Sequence, residues 1–452
     1  MNPQDKNTDL LGRWARGEGI RFESQKAAQN YNKLTRRWLD VLALKQPDRI
    51  PGLVFGEGGI VTGPEIDQAG MFYDSPKAAA AVYGFNKKYA FDHVMDILPM
   101  CGKALDILDC RLLRWPGSPL PQGMPDNVPP QYPENEFMHA SEYDRLIADP
   151  EGFILLKYLP RIFSALSFKG EIPCPLYGLH AIGHEPLLAP FSKKGGMQAK
   201  LKAMMDNLFN AADATTTHFK HFKNVADKIV RELGRPKIFG GAFTFSPFDL
   251  IGDTLRGTVG IMMDMHRQPE KLEAACRALM PFSVKMAVEH AERVQNPFVL
   301  IPLHKGADDF ISQEQFERFY WPTLHAQLLE LTANGLIPLI LVEGAYNKRL
   351  DTIARSGLPE GRTMWIFEKT DMEQAKRKLN GIACIGGNVP ASFFTIGSPE
   401  QMADYCKNLI EGVGNEGGFF LAPGVVLDRA KPKNMRVFIE SAGKFGGNRG
   451  AT

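Results

Sequence analysis

Three ionisable side chains in the second half of the chain come directly after apolar runs. His304 follows the run at residues 299–303, Glu343 follows the run at residues 338–342, and Glu368 follows the run at residues 365–367. An imidazole and a carboxylate that lie close together can act as acid and base, or can hold a metal such as zinc. We therefore predict His304 and Glu343 as catalytic residues, and also as candidate metal ligands.

The elements that would position these side chains alternate regularly along the chain. Six short apolar runs, separated by amphipathic helical segments, lie at residues 238–245, 298–303, 337–342, 364–367, 382–385 and 419–421. Apolar runs without alternation are typical of parallel strands that are buried on both faces. Two earlier runs, at residues 50–55 and 91–98, bring the number to eight. The pattern predicts an α/β fold, a (β/α)8 TIM barrel.

A doubly wound open sheet is the alternative fold. However, the first run is followed by Gly56-Glu57-Gly58-Gly59, which does not match the GxGxxG pattern of dinucleotide-binding proteins. We expect residues 1–452 to form one barrel domain. Residues 1–46 would be an N-terminal helical cap, and about residues 117–235 a mainly helical insertion over the barrel mouth, because the segment is too long for one crossover.

In such a barrel, functional residues gather at the carboxyl ends of the strands. His304 and Glu343 would then stand on adjacent strands at a similar height. The same rule predicts substrate- or cofactor-binding residues in the loops that follow the strands, namely Lys305, Asp308, Tyr346, Asn347, Asp371 and Asn388. Structural roles are the alternatives: Glu343 in an ion pair with Lys305 or Arg349, and Asp371 as a helix N-cap.

Aromatic residues predict an apolar barrel mouth that suits a flat ligand. The residues expected there are Phe55, Phe243, Phe245, Phe248 and Trp365, with Phe243 as a binding residue. Among the histidines, His180 and His184 are a weaker candidate metal pair. His218 and His221 stand at helical spacing beside lysines, which predicts a solvated face.

Composition excludes several classes of protein. The net charge is only +2, which is unlike the basic surface of a nucleic-acid-binding protein. No apolar stretch is long enough to cross a membrane, and the first residues lack the apolar core of a secretory signal. The six cysteines include no CxxC pair, so we expect reduced thiols and a cytoplasmic location.

Several motifs resemble those of the uroporphyrinogen decarboxylase superfamily. They lie at residues 304–312 (HKGADDFIS), 316–322 (FERFYWP), 387–390 (GNVP) and 417–424 (GGFFLAPG).

The decarboxylase branch carries substrate-binding arginines after its first strand, where this chain has the acidic segment around Glu57. Many members of the methyltransferase branch hold zinc through His-x-Cys and a later cysteine. The matching positions here are Leu341, Glu343 and Val425, so the thiolate pair is missing.

The resemblance implies a corrinoid-dependent methyltransferase. It would move a methyl group between a small aromatic or O-methylated compound and a corrinoid (cobalamin) protein. Because the chain shows no Asp-x-His-x-x-Gly signature, the corrinoid would come from a partner protein, and zinc is a second candidate cofactor. One alternative is a cofactor-free decarboxylase of an aromatic or tetrapyrrole acid, with Lys305 and Arg349 as its carboxylate clamp. A barrel that only binds corrinoid is another, and the sequence leaves a homo-oligomer open.

Overall fold

Six parallel strands lie side by side in the order in which they occur along the chain. The computed structural model describes residues 9–97, 100–121, 123–167, 192 and 196–447. The strands are β1 (Ala242–Phe243), β2 (Phe298–Leu303), β3 (Ile337–Val342), β4 (Met364–Phe367), β5 (Cys384–Val389) and β6 (Phe419–Pro423). Strands β2, β3 and β4 have the bounds that the apolar runs predict.

Two extended segments complete the barrel between β6 and β1. Stave 1 (residues 51–56) pairs in parallel with β6, since Gly52 bridges Leu421 and the Leu53 N–H donates to the Leu421 carbonyl at 2.8 Å. Stave 2 (residues 93–97) bridges stave 1 in parallel, through Gly56 and Ile97. Its Val94 N–H donates to the carbonyl of Pro236, in the segment that leads into β1. The predicted (β/α)8 barrel is confirmed.

The staves are not regular strands, although the sequence predicts strands at residues 50–55 and 91–98. The side chains of Asp92, which precedes stave 2, and His93, its first residue, take the place of ladder carbonyls. The Gly52 N–H donates to Asp92 Oδ2 at 2.8 Å, and the Val54 N–H donates to His93 Nε2 at 2.9 Å. Pro51 cannot donate to a ladder at all. Local side-chain chemistry therefore replaces the backbone ladder at this seam.

Strands β2 to β6 are buried on both faces, as the continuous apolar runs require, whereas β1 exposes Phe243. Alternate residues of each strand fill the interior, for example Leu339 and Leu341 of β3, while their neighbours pack against the outer helices. The N-terminal helices close the amino ends of the strands. Trp14 packs edge-on against Phe298 with ring centroids 5.1 Å apart, and Trp38 packs against Phe420. The N-terminal helices thus lie at the end of the barrel opposite His304 and Glu343.

The helices surround the barrel and form the segment between stave 2 and β1. In chain order they are α1 (Leu10–Arg16), α2 (Gln25–Leu42), α3 (Gln68–Tyr73), α4 (Ser75–Lys88), α5 (Gly102–Leu108), α6 (Tyr143–Ala148), α7 (Pro150–Phe153), α8 (Leu159–Ile162), α9 (Met197–Leu233), α10 (Pro247–Asp249), α11 (Gly257–Arg267), α12 (Pro269–Val294), α13 (Gln313–Gln315), α14 (Trp321–Ala333), α15 (Leu350–Ala354), α16 (Met372–Leu379), α17 (Ala391–Thr395), α18 (Pro399–Val413) and α19 (Pro432–Phe445). Within the described residues, the predicted insertion contains α6–α9 after an irregular segment.

Several sequence predictions differ from the structure. The run at residues 238–245 forms a strand only over Ala242–Phe243. These are the two residues that pair with β2, at Val299 and Leu300. Strand β5 begins two residues later than predicted and continues through Asn388, so the glycines before Asn388 belong to the strand. His218 is buried rather than solvated, with 4% of its surface exposed between aromatic rings of α9.

Two further points concern ligands and membranes. The candidate metal pair His180 and His184 lies outside the described residues. Among the helices that the structure describes, none combines the length and the apolar character needed to cross a bilayer.

Candidate active site

The carboxyl ends of β2 and β3 bring His304 and Glu343 together. Leu303 pairs with Val342 in the parallel ladder, so the next residue of each strand projects from the same end of the barrel. His304 Nε2 lies 3.8 Å from Glu343 Oε1. The expectation that these two runs are neighbouring strands is confirmed, and an imidazole faces a carboxylate at the mouth.

A third residue, Asp253, completes this cluster from the other side of the imidazole. Its Oδ2 lies 2.6 Å from His304 Nδ1, and its Oδ1 accepts a hydrogen bond from Lys305 Nζ at 2.5 Å. Asp253 belongs to a π-helical turn, Leu250–Arg256, that follows β1 and α10. Sequence reasoning missed this residue, although it follows the third barrel strand and the strand-end rule extends to it.

Asp249, four residues before Asp253, holds the main chain of the site. It is fully buried and accepts the N–H groups of His304 at 3.2 Å and Lys305 at 2.9 Å. The hydroxyls of Ser246 and Tyr320 also donate to it. These bonds fix the position at which β2 ends, since four donors converge on one carboxylate.

The charges at the site shift the pKa values of its groups. Burial alone would lower the pKa of His304, but its hydrogen bond to Asp253 and the charges of Asp249, Asp253 and Glu343 raise the pKa to about 9. Burial favours the neutral form of Asp253, yet the contacts with His304 and Lys305 prevail and lower its pKa. His304 is therefore an imidazolium at neutral pH, paired with an ionised Asp253.

The two other carboxyl groups shift in the opposite direction. Burial raises the pKa of Glu343, and the nearby charges of Glu368 and Asp253 add to this effect while His304 opposes it. Burial and the charge of Asp253 raise the pKa of Asp249 to about 6. Groups whose pKa values are displaced in opposite directions at one cleft are typical of acid–base sites.

A cleft of about 290 Å³ opens above the pair. Its walls include His304, Ala307, Phe310, Glu343, Gly344 and Glu368. Glu368 Oε2 accepts the Gly344 N–H at 2.6 Å, which holds the loop after β3 against the end of β4. The cleft has the size of a small-molecule site.

An aromatic edge continues from this cluster toward β1. Phe243 is 46% exposed, and its ring centroid lies 5.0 Å from that of Phe245. Phe245 in turn lies 6.0 Å from the His304 ring. Two other predicted mouth residues, Phe248 and Trp365, are fully buried on the outer side of the sheet, and Phe55 is buried inside the barrel. Only part of the predicted aromatic mouth is therefore present.

The other predicted binding residues in the loops after β2 and β3 contact neighbouring parts of the protein. Lys305 is 8% exposed and contacts Asp253. Asp308 accepts the Lys348 N–H at 3.0 Å and lies 3.4 Å from Arg349. Tyr346 is fully buried against Phe316. Their roles in binding stay predictions.

Three predicted residues connect adjacent loops at the ends of β3, β4 and β5. Asn347 Oδ1 accepts the Asp371 N–H at 2.8 Å, and the Asp371 carboxylate caps α16 by accepting the Gln374 N–H. Asn388 donates to the Thr370 carbonyl and accepts from the Tyr405 hydroxyl at 2.8 Å. The structure brings these residues to one edge of the barrel but engages their polar atoms within the protein.

The donor set does not fit a zinc site. Among the described residues there is no group of three histidine, cysteine, aspartate or glutamate side chains that could hold a metal ion. Structural and catalytic zinc sites need three or four protein ligands. His304 Nδ1 is already engaged by Asp253, and the five cysteines within the described residues are all buried. The predicted metal role of His304 and Glu343 thus lacks a third ligand.

Comparison with known proteins identifies the family. The family model of uroporphyrinogen decarboxylase (URO-D) matches residues 198–445, which is more than half of the chain. The chain belongs to the uroporphyrinogen decarboxylase family. A solved methyltransferase from Methanosarcina mazei has a similar fold, with a TM-score of 0.56, 15% sequence identity, and coverage of 91% of this chain and 98% of the methyltransferase. A search of curated protein sequences finds no significant match.

Within the uroporphyrinogen decarboxylase family fold, the segment after stave 1 has an acidic character. Glu57 stands there, and its pKa is raised by burial and by the charge of Asp428, which follows β6. Gln68 donates to Asp428 Oδ1 at 2.9 Å. This end of the barrel therefore presents two carboxyl groups, Glu57 and Asp428.

Proposed function

We propose that the protein is a methyltransferase that moves a methyl group between a small O-methylated, aromatic compound and a corrinoid carried by a partner protein. The observation that carries this proposal is the His304 imidazolium, held between Asp253 and Glu343 beside a small cleft. Membership of the family supports it, as does the fold shared with a methyltransferase.

In the demethylation direction, the departing oxygen needs a proton. His304 has a pKa of about 9, close to that of a phenol, so it can donate its Nε2 proton as the oxygen–methyl bond breaks. A reduced corrinoid on the partner protein would supply the nucleophile that accepts the methyl group. Glu343 faces the same nitrogen and orients the proton, while Phe243 and Phe245 offer an aromatic surface to the substrate ring.

The size of the cleft bears on how a corrinoid would be presented. About 290 Å³ suits a compound of one ring and cannot enclose a corrin macrocycle. The corrinoid would therefore meet the substrate from outside the cleft, at the open side of the mouth. A separate carrier protein is compatible with this geometry.

The decarboxylase alternative lacks its carboxylate clamp. Lys305 is paired with Asp253 at 2.5 Å. Arg349 is fully buried and donates to the carbonyls of Gly306 and Ile311 and to the side chain of Gln313. Since neither side chain is free to bind a substrate carboxylate, we expect no enzymatic conversion of uroporphyrinogen to coproporphyrinogen.

The test is methyl transfer with a cognate corrinoid protein. The protein would be incubated with reduced corrinoid protein and a panel of methoxylated aromatic compounds. The expected result is the absorbance change from cob(I)alamin to methylcob(III)alamin, together with release of the phenol. A panel that gives no transfer, with a corrinoid protein that a known methyltransferase can methylate, would refute the proposal. Decarboxylation of an aromatic acid would favour the alternative.

A further inference from the structure

We infer that Asp253 is a positioning residue for His304. This inference rests on the proposed function for its kinetic consequence, but its geometric content concerns this chain alone. Asp253 would act on the reaction only through the imidazole, by fixing which ring nitrogen faces the cleft.

The bonds of Asp253 restrain its carboxylate on both sides. One oxygen contacts His304 Nδ1 at 2.6 Å, and the other accepts from Lys305 Nζ at 2.5 Å. Lys305 and Asp253 have exposed side-chain fractions of only 10% and 19%, so solvent competes weakly for these bonds. With Nδ1 engaged, Nε2 is the ring nitrogen that faces Glu343. The carboxylate thereby fixes both the rotation of the ring and the position of its transferable proton.

The groups that face His304 come from three elements. Asp249 and Asp253 approach from α10 and the π-helical turn, and Glu343 approaches from the end of β3. Lys305 is adjacent in the chain and is neutralised by Asp253. Three carboxyl groups around one imidazole stabilise its positive charge, and only Asp253 bonds directly to the ring.

The effect of Asp253 on the ring is separable from the support of the main chain. Asp249 holds the N–H groups of His304 and Lys305, and these bonds do not involve Asp253. A substitution at Asp253 should therefore release the imidazole while the end of β2 stays in place. This separation allows positioning to be distinguished from folding.

The decisive experiment follows the His304 ring itself by NMR, in protein labelled with 15N-histidine. The ring signals would be assigned with His304→Gln and titrated in wild type and in Asp253→Asn. The amide keeps the shape of the carboxylate but loses its charge, so we expect the pKa of His304 to fall by about 1–3 units. Asp309→Asn is the matched control, because Asp309 borders the same cleft but is not bonded to the ring.

The outcomes separate this inference from the proposed function. If Asp253→Asn leaves the titration of His304 as in wild type, or shifts it no more than Asp309→Asn does, Asp253 is not a positioning residue. If Asp253→Asn does not fold because Lys305 loses its partner, the pair Asp253→Asn with Lys305→Gln removes both charges and permits the same titration. Absence of methyl transfer in the wild type would refute the proposed function and leave the titration result standing.

Where methyl transfer is observed, a kinetic readout follows. Asp253→Asn should lower kcat by about 10- to 100-fold with little change in KM, and should move the alkaline limb of the pH profile to lower pH. Asp253→Glu, which restores the charge, should recover part of the rate. Equal losses in both variants would indicate that Asp253 supports the fold and nothing else.

Discussion

At the scale of single residues, the site depends on the positive charge of His304, which the neighbouring carboxyl groups of Asp253 and Glu343 stabilise. His304 lies between two carboxylates, and the nearer one, Asp253, is already bonded to its ring at 2.6 Å. Glu343 lies 3.8 Å from the other nitrogen, where it can exchange a proton or orient one. The two carboxylates thus have different tasks, because one is restrained and the other borders the cleft.

The first prediction concerns Glu343. Glu343→Gln keeps the shape of the side chain and removes its charge, so methyl transfer should fall about 100- to 10,000-fold while the melting temperature is retained. Corrinoid absorbance measures the rate, and Glu330→Gln, an exposed change on α14, is the control for folding. A Glu343→Gln protein that turns over within a few-fold of wild type would show that Glu343 is structural, and His304 would then act without it.

The second prediction concerns pH. If the His304 imidazolium is the acid, kcat/KM should decrease as the pH rises through about 9, because the transferable proton is lost there. The measurement is kcat/KM as a function of pH from about 6 to about 10.5, a range that includes the pKa of His304. In His304→Gln the residual rate should be independent of pH over the same range. A wild-type profile that stays flat through pH 10 would exclude this acid.

At the scale of elements, side chains replace regular structure at two places that matter. The π-helical turn Leu250–Arg256 presents Asp253 to His304, and Asp249 precedes that turn by one residue. At the seam of the barrel, Asp92 and His93 bind the N–H groups of stave 1. Asp92 also accepts hydrogen bonds from Arg37 and Arg49. One carboxylate therefore holds the cap and both staves.

The third prediction tests this seam. Asp92→Ala leaves the buried Arg37 with one partner fewer and orphans the Gly52 N–H, so the free energy of unfolding should decrease by about 3–5 kcal/mol. Asp48→Ala removes the half-exposed carboxylate from the same arginine and should cost about 1 kcal/mol. Urea denaturation measures both. Equal losses would mean that Asp92 does not contribute more than a surface ion pair.

At the scale of the whole molecule, burial of histidines away from the mouth couples stability to pH. Burial lowers the pKa of His93 to about 4, and it lowers the pKa of His218 to about 4 as well, with His221 adding to the effect. His93 is nonetheless satisfied as a neutral ring, because it accepts from Val54 and contacts the Val94 carbonyl. Both rings are therefore neutral in the folded protein.

The fourth prediction is loss of stability in acid. Below pH 6.5 the unfolded chain takes up protons that these two folded rings exclude, so the free energy of unfolding should decrease between about pH 6.5 and 4. The expected contribution is up to about 3 kcal/mol for each ring. Asp249, whose pKa is raised, acts in the opposite direction, and comparison of variants cancels its effect.

The variants isolate one ring. His218→Phe keeps an aromatic side chain among Phe219 and Phe222 and should reduce the slope of stability against pH in this window. His266→Phe, at an exposed position, is the control and should leave the slope unchanged. Denaturation at a series of pH values measures both, and an unaltered slope in His218→Phe would assign the acid lability to other groups.

The sequence by itself determined much of the barrel. Strands buried on both faces must be apolar throughout, so β2, β3 and β4 could be located to the residue from the apolar runs in the sequence. Once parallel strands are inferred, His304 and Glu343 must emerge at the same end. Their proximity therefore followed from local pattern and the rule of the fold.

Only the tertiary structure decided what surrounds that pair. Asp253 lies 51 positions from His304 in the chain, and no local periodicity relates them. The buried state of His218 depends on the partners of α9, since the spacing of polar residues there would equally suit a solvated face. Staves 1 and 2 have mainly apolar residues and so predicted strands, but side-chain bonds to Asp92 and His93 replaced the ladder. Long-range contacts fixed these features, and sequence patterns report only on neighbours along the chain.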